Sequence, residues 1–152
     1  MSGIKRLAVI PNKCKGCHRC ELACSFRKFN IHSLFLAALH VSGSNVDSVA
    51  FVPSICIDCG RCIEACPVTG ALHKDSKLGT IKVTKLCTGC GECITACPFN
   101  LIKINPDTKR AFKCEYCDGD PECVKHCPYH ALVYIDEKRT HVLAFATRVL
   151  SK

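Results

Sequence analysis

The sequence has 152 residues, sixteen of them cysteine, and a formal net charge of +8, which suits one compact domain or two small ones. The N-terminus MSGIKRLAVIPNK lacks a secretory apolar segment and no apolar run reaches about 18 residues, so we expect a cytoplasmic protein without disulfide bonds or a membrane span. Basic residues are spread along the chain, which argues against a nucleic-acid-binding surface.

The first cysteine group is followed by a predicted helix and a predicted hairpin. The group is Cys14, Cys17, Cys20 and Cys24. No proline follows it, and the pattern predicts a helix over about His18–Phe29. Between Leu34 and Pro53, two apolar stretches flank the turn-forming letters SGSN, which predicts a β-hairpin, although Ser33–Leu39 could start as a helix. We expect the apolar face of this hairpin to pack over the metal-binding region rather than to form an exposed docking surface.

The second and third cysteine groups enclose another predicted hairpin. The intervening sequence GALHKDSKLGTIKV predicts strands near Ala71–His73 and Thr80–Thr84, joined by a polar turn that ends at Gly79. The two groups are Cys56, Cys59, Cys62 and Cys66, followed by Cys87, Cys90, Cys93 and Cys97.

The fourth group contains a short insertion and precedes the C-terminal elements. It consists of Cys114, Cys117, Cys123 and Cys127. The inserted Asp118–Glu122 predicts a surface turn because it contains Gly and Pro. Ala131–Ile135 predicts a strand. Thr140–Leu150 predicts a helix with one apolar face, which could belong to the core or face a partner.

The cysteine spacing points to iron–sulfur clusters. Three groups read C-x2-C-x2-C-x3-C and the fourth reads C-x2-C-x5-C-x3-C, with proline after the last cysteine of groups two, three and four. This is the run of bacterial ferredoxins, in which three thiolates hold one cluster and the fourth ligates its neighbour. Zinc sites use separated pairs instead. Four [4Fe–4S] clusters would carry a total charge of roughly 8−, which the net charge of the chain offsets.

The hairpin between groups two and three is typical of a two-cluster ferredoxin, so we assign one cluster to each crossed set. These sets are Cys56, Cys59, Cys62 and Cys97, and Cys66, Cys87, Cys90 and Cys93. Groups one and four could pair in the same nested way, since groups two and three already look complete. A tandem arrangement, one with two and three with four, stays open. The nested sets are Cys14, Cys17, Cys20 and Cys127, and Cys24, Cys114, Cys117 and Cys123.

These elements predict an α+β fold with short hairpins, short helices and much loop. We expect two pseudo-symmetric modules of the bacterial 2[4Fe–4S] ferredoxin type in one compact unit. Residues 50–104 would form an inner module. Residues 1–35 and 105–152 would form an outer module.

The sequence resembles the four-cluster iron–sulfur subunits of multi-subunit oxidoreductases. The resemblance is carried by CKGCHRCELACSF, CIDCGRCIEACP, CTGCGECITACP and CEYCDGDPECVKHCP. It is strongest to the small subunits beside tungsten-dependent aldehyde oxidoreductases and related benzoyl-CoA reductases. The resemblance implies the nested pairing, and it implies a catalytic partner that carries tungsten or molybdenum on a pterin.

We find no catalytic motif in the sequence, so we expect a non-catalytic electron-transfer subunit. It would relay single electrons between the catalytic partner and a further carrier or nucleotide-reducing subunit. Two other interpretations are a free-standing polyferredoxin and the iron–sulfur subunit of a carbon monoxide dehydrogenase or hydrogenase. A zinc or nucleic-acid-binding module is a rival of a different class, and it would be colourless.

Overall fold

The structure is a computed structural model that describes residues 3–43 and 50–137. Short elements separated by loops make up this part of the chain. The strands are β1 Lys5–Val9, β2 His40–Gly43, β3 Phe51–Ser54, β4 Leu72–Lys74, β5 Ile81–Val83, β6 Lys103–Ile104, β7 Ala111–Phe112 and β8 Leu132–Asp136. The helices are α1 Arg19–Phe29, α2 Arg61–Glu64, α3 Glu92–Ala96 and α4 Glu122–Lys125, with 3₁₀ turns at Pro11–Lys13 and Tyr116–Gly119.

The strands form four separate two-stranded antiparallel sheets. β1 pairs with β8 along its whole length, from Lys5 opposite Asp136 to Val9 opposite Leu132. The ladder continues beyond both ends, because Ile10 N–H donates to the Ala131 carbonyl and Glu137 N–H donates to the Ile4 carbonyl. This pairing joins segments more than a hundred residues apart in sequence, so it brings the two ends of the described chain together. The predicted strand at Ala131–Ile135 is confirmed, shifted by one residue.

Both predicted hairpins are confirmed. β4 pairs with β5 from Leu72 opposite Val83 to Lys74 opposite Ile81. The turn between them is held by Asp75, whose carboxylate accepts the backbone N–H groups of Lys77 and Leu78. β2 pairs with β3, while residues 44–49 between these two strands lie outside the described residues. The predicted C-terminal helix at Thr140–Leu150 also lies outside them.

A further hairpin, β6–β7, was not predicted. Its turn repeats the design of the β4–β5 turn, because the Asn105 side chain accepts the N–H groups of Asp107 and Thr108. Each turn ends at a residue with positive φ, Gly79 at 65° and Lys109 at 57°. The Asn105-Pro106-Asp107 sequence carries the turn signal, but the two strands of two residues each are too short for a periodic pattern.

The helices fall into one longer and three very short ones. α1 has 11 residues and is capped at its C-terminus by Asn30, which has φ of 57° and donates its N–H to the Phe26 carbonyl. The predicted helix over His18–Phe29 is therefore confirmed, with His18 as its N-cap. α2 and α3 follow Gly60 and Gly91, whose φ values of 87° and 89° favour glycine. The short helices, short strands and abundant loop agree with the predicted fold class, whereas the pseudo-symmetry of the two modules stays a prediction.

Two clusters of buried side chains form the core, and cysteines belong to both. One cluster contains Leu7, Leu39, Phe112, Tyr116 and Leu132 together with cysteines of groups one and four. The other contains Leu72, Ile81 and Ile102 together with cysteines of groups two and three. Within the described residues, no helix is both long and apolar enough to cross a membrane.

Candidate metal centres

None of the sixteen cysteines forms a disulfide bond, and they occupy equivalent places in the four loops. The third cysteine of each group lies in the first turn of a helix, where it is buried: Cys20, Cys62, Cys93 and Cys123. The second cysteine of groups one, two and three is exposed: Cys17, Cys59 and Cys90. One edge of each of these loops therefore lies at the protein surface.

A cavity next to α2 collects cysteines from two groups. It is lined by Cys56, Cys59 and Cys62 from group two and by Cys97 from group three. Ile81, Leu101 and Ile102 form its apolar wall, and all three are buried. The structure thus brings together the four thiols of the first crossed set.

A second cavity collects the complementary cysteines. It is lined by Cys87, Cys90 and Cys93 from group three and by Cys66 from group two. The pKa of the Cys93 thiol is raised to about 11, first by burial and then by the neighbouring thiols of Cys87, Cys62, Cys90 and Cys66. The presence of Cys62 among these neighbours means that the two cavities adjoin.

Cysteines of groups one and four also lie side by side. Burial raises the pKa of Cys20 to about 12, and among the smaller causes are the neighbouring thiols of Cys127 and Cys14. Burial likewise raises the pKa of Cys123, and the next causes are Cys114, Cys24, Cys117 and Cys20. The last cysteine of group one therefore lies near three thiols of group four, and the last cysteine of group four lies near group one.

Three cysteine sulfurs accept a hydrogen bond from a backbone N–H group; two of these cysteines are the last of their group and one is the first. Ala38 donates to Cys24 Sγ at 3.4 Å, Ala111 to Cys87 Sγ at 3.4 Å and Ala131 to Cys127 Sγ at 3.3 Å. Each donor belongs to a segment outside the loop that holds the sulfur. Such bonds stabilise a thiolate, so the packing of neighbouring segments prepares these sulfurs for a positively charged metal core.

Glycine is required at one position of the third loop. A Cβ at Gly89, where φ is 73°, would lie 1.9 Å from the Lys109 carbonyl oxygen. At Gly91, where φ is 89°, a Cβ would meet nothing within 4 Å. The hairpin turn that carries Lys109 thus packs directly on the backbone of the loop, and only glycine permits this approach.

The donor set fits the group that the spacing predicts. Four thiols beside an apolar wall are the surroundings in which a [4Fe–4S] cluster is held. Within residues 3–43 and 50–137, no three His, Cys, Asp or Glu side chains converge closely enough to hold a single metal ion. The histidines at the first loop make other contacts, since the Nδ1 atoms of His18 and His40 both face the buried carboxylate of Glu21.

A buried charged network beside the cavities was missed by sequence reasoning. The carboxylate of Asp58 contacts the ammonium group of Lys113 at 3.1 Å and the guanidinium group of Arg6 at 3.3 Å. Burial alone would raise the pKa of Asp58, but Lys113 and the N–H of Ile81 outweigh it and hold that pKa below its usual value. The sequence signal was weak, because Asp58 and Lys113 each look like an ordinary charged residue beside a cysteine.

Short loops that gather cysteine quartets around small antiparallel hairpins define a ferredoxin-like iron–sulfur protein. Sequence profiles described as a 4Fe-4S dicluster domain match residues 50–104 in one case, and residues 13–71 and 86–131 in the other. The second profile covers more than half of the chain, so the chain belongs to the 4Fe-4S dicluster domain family. Two dicluster matches and sixteen cysteines are consistent with four [4Fe–4S] clusters, and electron transfer is the function that such domains support.

Among solved structures, the chain is similar to chains of the active-site complex BamBC of benzoyl-coenzyme A reductase. The zinc-bound complex has a TM-score of 0.49 and 23% identity, over 98% of this chain and 91% of that chain. The complex with benzoyl-coenzyme A has a TM-score of 0.49 and 21% identity, over 95% and 88%. The complex with 1,5-dienoyl-coenzyme A has a TM-score of 0.47 and 26% identity, over 86% and 75%. No curated protein matches the sequence.

Proposed function

We propose that the chain is an electron-transfer subunit that relays single electrons through four [4Fe–4S] clusters. The observation that carries this proposal is the pair of adjoining cavities, each lined by four thiols from two different loops. A chain built for separate zinc pairs would have no reason to bring the fourth cysteine of one loop to the first three of another.

The proposed ligand sets are crossed. The clusters are numbered in the spatial order that is argued below. Cluster I would be held by Cys14, Cys17, Cys20 and Cys127, and cluster II by Cys24, Cys114, Cys117 and Cys123. Cluster III would be held by Cys56, Cys59, Cys62 and Cys97, and cluster IV by Cys66, Cys87, Cys90 and Cys93. The cavities support the sets of clusters III and IV. The neighbouring thiols described above support the sets of clusters I and II, except that no contact bears on exposed Cys17.

Neighbouring thiols also support a linear order of the four sets. The Cys20 thiol of the first set is among the neighbours that raise the pKa of Cys123 in the second set. The Cys56 thiol of the third set is among the groups that raise the pKa of Cys114 in the second set to about 12, and burial is the largest of these causes. The Cys62 thiol of the third set is among the neighbours that raise the pKa of Cys93 in the fourth set. Clusters I and IV would then be the two end stations of the relay.

When bound, the clusters supply reversible one-electron chemistry, and the residues of the chain set the conditions for it. The apolar walls of the cavities exclude water, which favours rapid exchange of charge without proton uptake. The exposed edges at Cys17 and Cys90 would let electrons enter and leave at the two ends.

We further propose a fixed catalytic partner, with a tungsten- or molybdenum-pterin subunit of the aldehyde oxidoreductase type as the first choice. The motif resemblance described above supports this choice. Exposed apolar side chains favour a subunit over a free-standing polyferredoxin, because a free carrier has no need of a large apolar surface. Four of them lie in the ten-residue stretch that covers the end of α1 and the start of the following loop. They are Phe26, Ile31, Leu34 and Phe35, and Phe35 is 72% exposed.

Anaerobic purification of the tagged chain from its native extract tests the proposed function. We expect a second, larger polypeptide to co-purify in fixed ratio and to contain tungsten or molybdenum. Phe35→Asp should reduce this co-purification at least about tenfold while leaving the iron content of the chain unchanged, because a charge at that site must be desolvated on docking. A chain that elutes alone as a fully iron-loaded monomer would contradict the subunit role. Nickel or iron without pterin in the larger polypeptide would contradict the choice of partner and favour the carbon monoxide dehydrogenase or hydrogenase alternative.

A further inference from the structure

Lys113 is a buried lysine whose three N–H donors are all used inside the protein. The residue is 3% exposed and directly precedes Cys114. Its ammonium group donates to the Asp58 carboxylate at 3.1 Å, to the Ile81 carbonyl at 2.9 Å and to the Cys114 carbonyl at 2.9 Å. A lysine held this way has a fixed position, unlike a flexible lysine at the surface.

Asp58 is the anionic half of the same contact and lies inside a cysteine loop. Its side chain is 0% exposed, and its Oδ1 atom also accepts the Ile81 N–H at 3.0 Å and the Thr80 hydroxyl at 3.1 Å. The same oxygen lies 3.8 Å from Cys56 Sγ. A carboxylate would therefore stand beside a thiolate whenever Cys56 ligates a cluster, and a cation is needed to offset the repulsion.

Both charged groups face the junction between two ligand sets. Asp58 and Lys113 line the same cavity as Cys56, Cys59, Cys62 and Cys97, which is the proposed place of cluster III. Lys113 is at the same time bonded through its side chain to the backbone of Cys114, a proposed ligand of cluster II. Electrons that pass between the outer and inner ligand sets must cross this junction.

A fixed charge at this place acts strongly on both neighbours. Reduction adds one negative charge to a cluster, so a nearby cation stabilises the reduced form and a nearby anion destabilises it. The interaction is large in a buried site, where water and salt do not screen it. Arg6 reaches the other carboxylate oxygen of Asp58 at 3.3 Å and also pairs with the Glu137 carboxylate at 3.2 Å, so the four connected charges balance and each of Lys113 and Asp58 acts through its own position.

We propose that Lys113 and Asp58 tune the electron transfer between clusters II and III, with Lys113 raising and Asp58 lowering their reduction potentials. The proposal rests on the proposed function, because it needs clusters at those two sets. It assigns a task to two residues that are not ligands: Asp58 stands between two cysteines of the second group, and Lys113 directly precedes the fourth group.

Redox titration followed by electron paramagnetic resonance tests the proposal on the purified, fully loaded chain. Lys113→Met removes the cation at similar side-chain volume, and we expect the reduction equilibrium constants of two of the four clusters to fall by about tenfold, which is 59 mV for one electron. Asp58→Asn keeps the acceptor oxygen, and asparagine tolerates the φ of 51° at this position. We expect it to shift the same two clusters in the opposite direction.

The controls separate charge from packing. Lys113→Arg keeps the positive charge, so the reduction equilibrium constants of all four clusters should stay within about twofold of the wild-type values. Lys74→Met removes an exposed lysine of β4 and should leave the reduction potentials of all four clusters unchanged. A role confined to packing predicts no shift, or shifts of the same sign in Lys113→Met and Asp58→Asn, and either result would overturn the proposal. If Lys113→Met fails to fold, the sign of the Asp58→Asn shift still decides. Wild-type protein with fewer than four clusters would instead contradict the proposed function itself.

Discussion

Removing the iron from anaerobically purified protein is expected to unfold most of the chain. The three short helices have four or five residues each, far below the length at which a helix is stable by itself. An isolated two-stranded hairpin is marginal as well. Cysteines belong to both clusters of buried side chains. Without iron and sulfide, each core would therefore be left with a gap between its cysteines. We expect metal binding and folding to be one event, as in small structural metal sites.

Far-ultraviolet circular dichroism during chelation, recorded together with visible absorbance, measures this loss. We expect both signals to disappear together, and to return together when iron and sulfide are restored under reducing conditions. The matched control is the same chelator with iron in excess, which should change neither signal. A colourless chain that still unfolds cooperatively on heating would show that the polypeptide core is stable alone.

The second large effect concerns which cysteines act together. Replacing any one ligand should remove one cluster, so the informative experiment uses pairs of substitutions. Cys97→Ala combined with Cys56→Ala affects a single proposed set, and we expect it to leave about twelve iron atoms per chain. Cys97→Ala combined with Cys93→Ala affects two sets although both residues belong to the same sequence group, and we expect about eight. Iron and acid-labile sulfide analysis of the purified variants gives the result.

The same design applies to the outer groups. Cys24→Ala combined with Cys114→Ala should cost one cluster, whereas Cys24→Ala combined with Cys20→Ala should cost two. If each loop held its own cluster without crossing, the outcomes of both comparisons would be reversed. If groups one and two were paired in tandem, Cys24→Ala would instead share a cluster with Cys56→Ala, and that pair would lose only one.

Some parts of the fold could be predicted from the sequence because the signal was local. The β4–β5 hairpin follows from two short apolar runs around Asp75–Gly79, and α1 follows from the absence of a proline after Cys24, which lets the helix continue. The pairing of β1 with β8 could not be found this way, since Lys5 and Asp136 meet only through the tertiary fold. The β6–β7 hairpin was not predicted because strands of two residues are too short to show an alternation of apolar and polar residues.

The candidate site divides in the same way. The cysteine groups stand out in the sequence because the chemistry of an iron cube fixes both the residue type and the spacing, while the assignment of each cysteine to a cluster stays a prediction. The network of Asp58, Lys113 and Arg6 could not, because its members come from three segments and make contact only when the two halves of the described chain pack together. Pattern identifies the donors to a metal, whereas the charges that tune it depend on packing.

The iron and acid-labile sulfide content of the full-length chain, isolated without exposure to oxygen, tests the central claim most directly. Four clusters on sixteen cysteines predict about sixteen iron atoms and about sixteen sulfides per chain. A content of about eight of each, with the remaining thiols free to react with an alkylating reagent in the folded protein, would contradict the account.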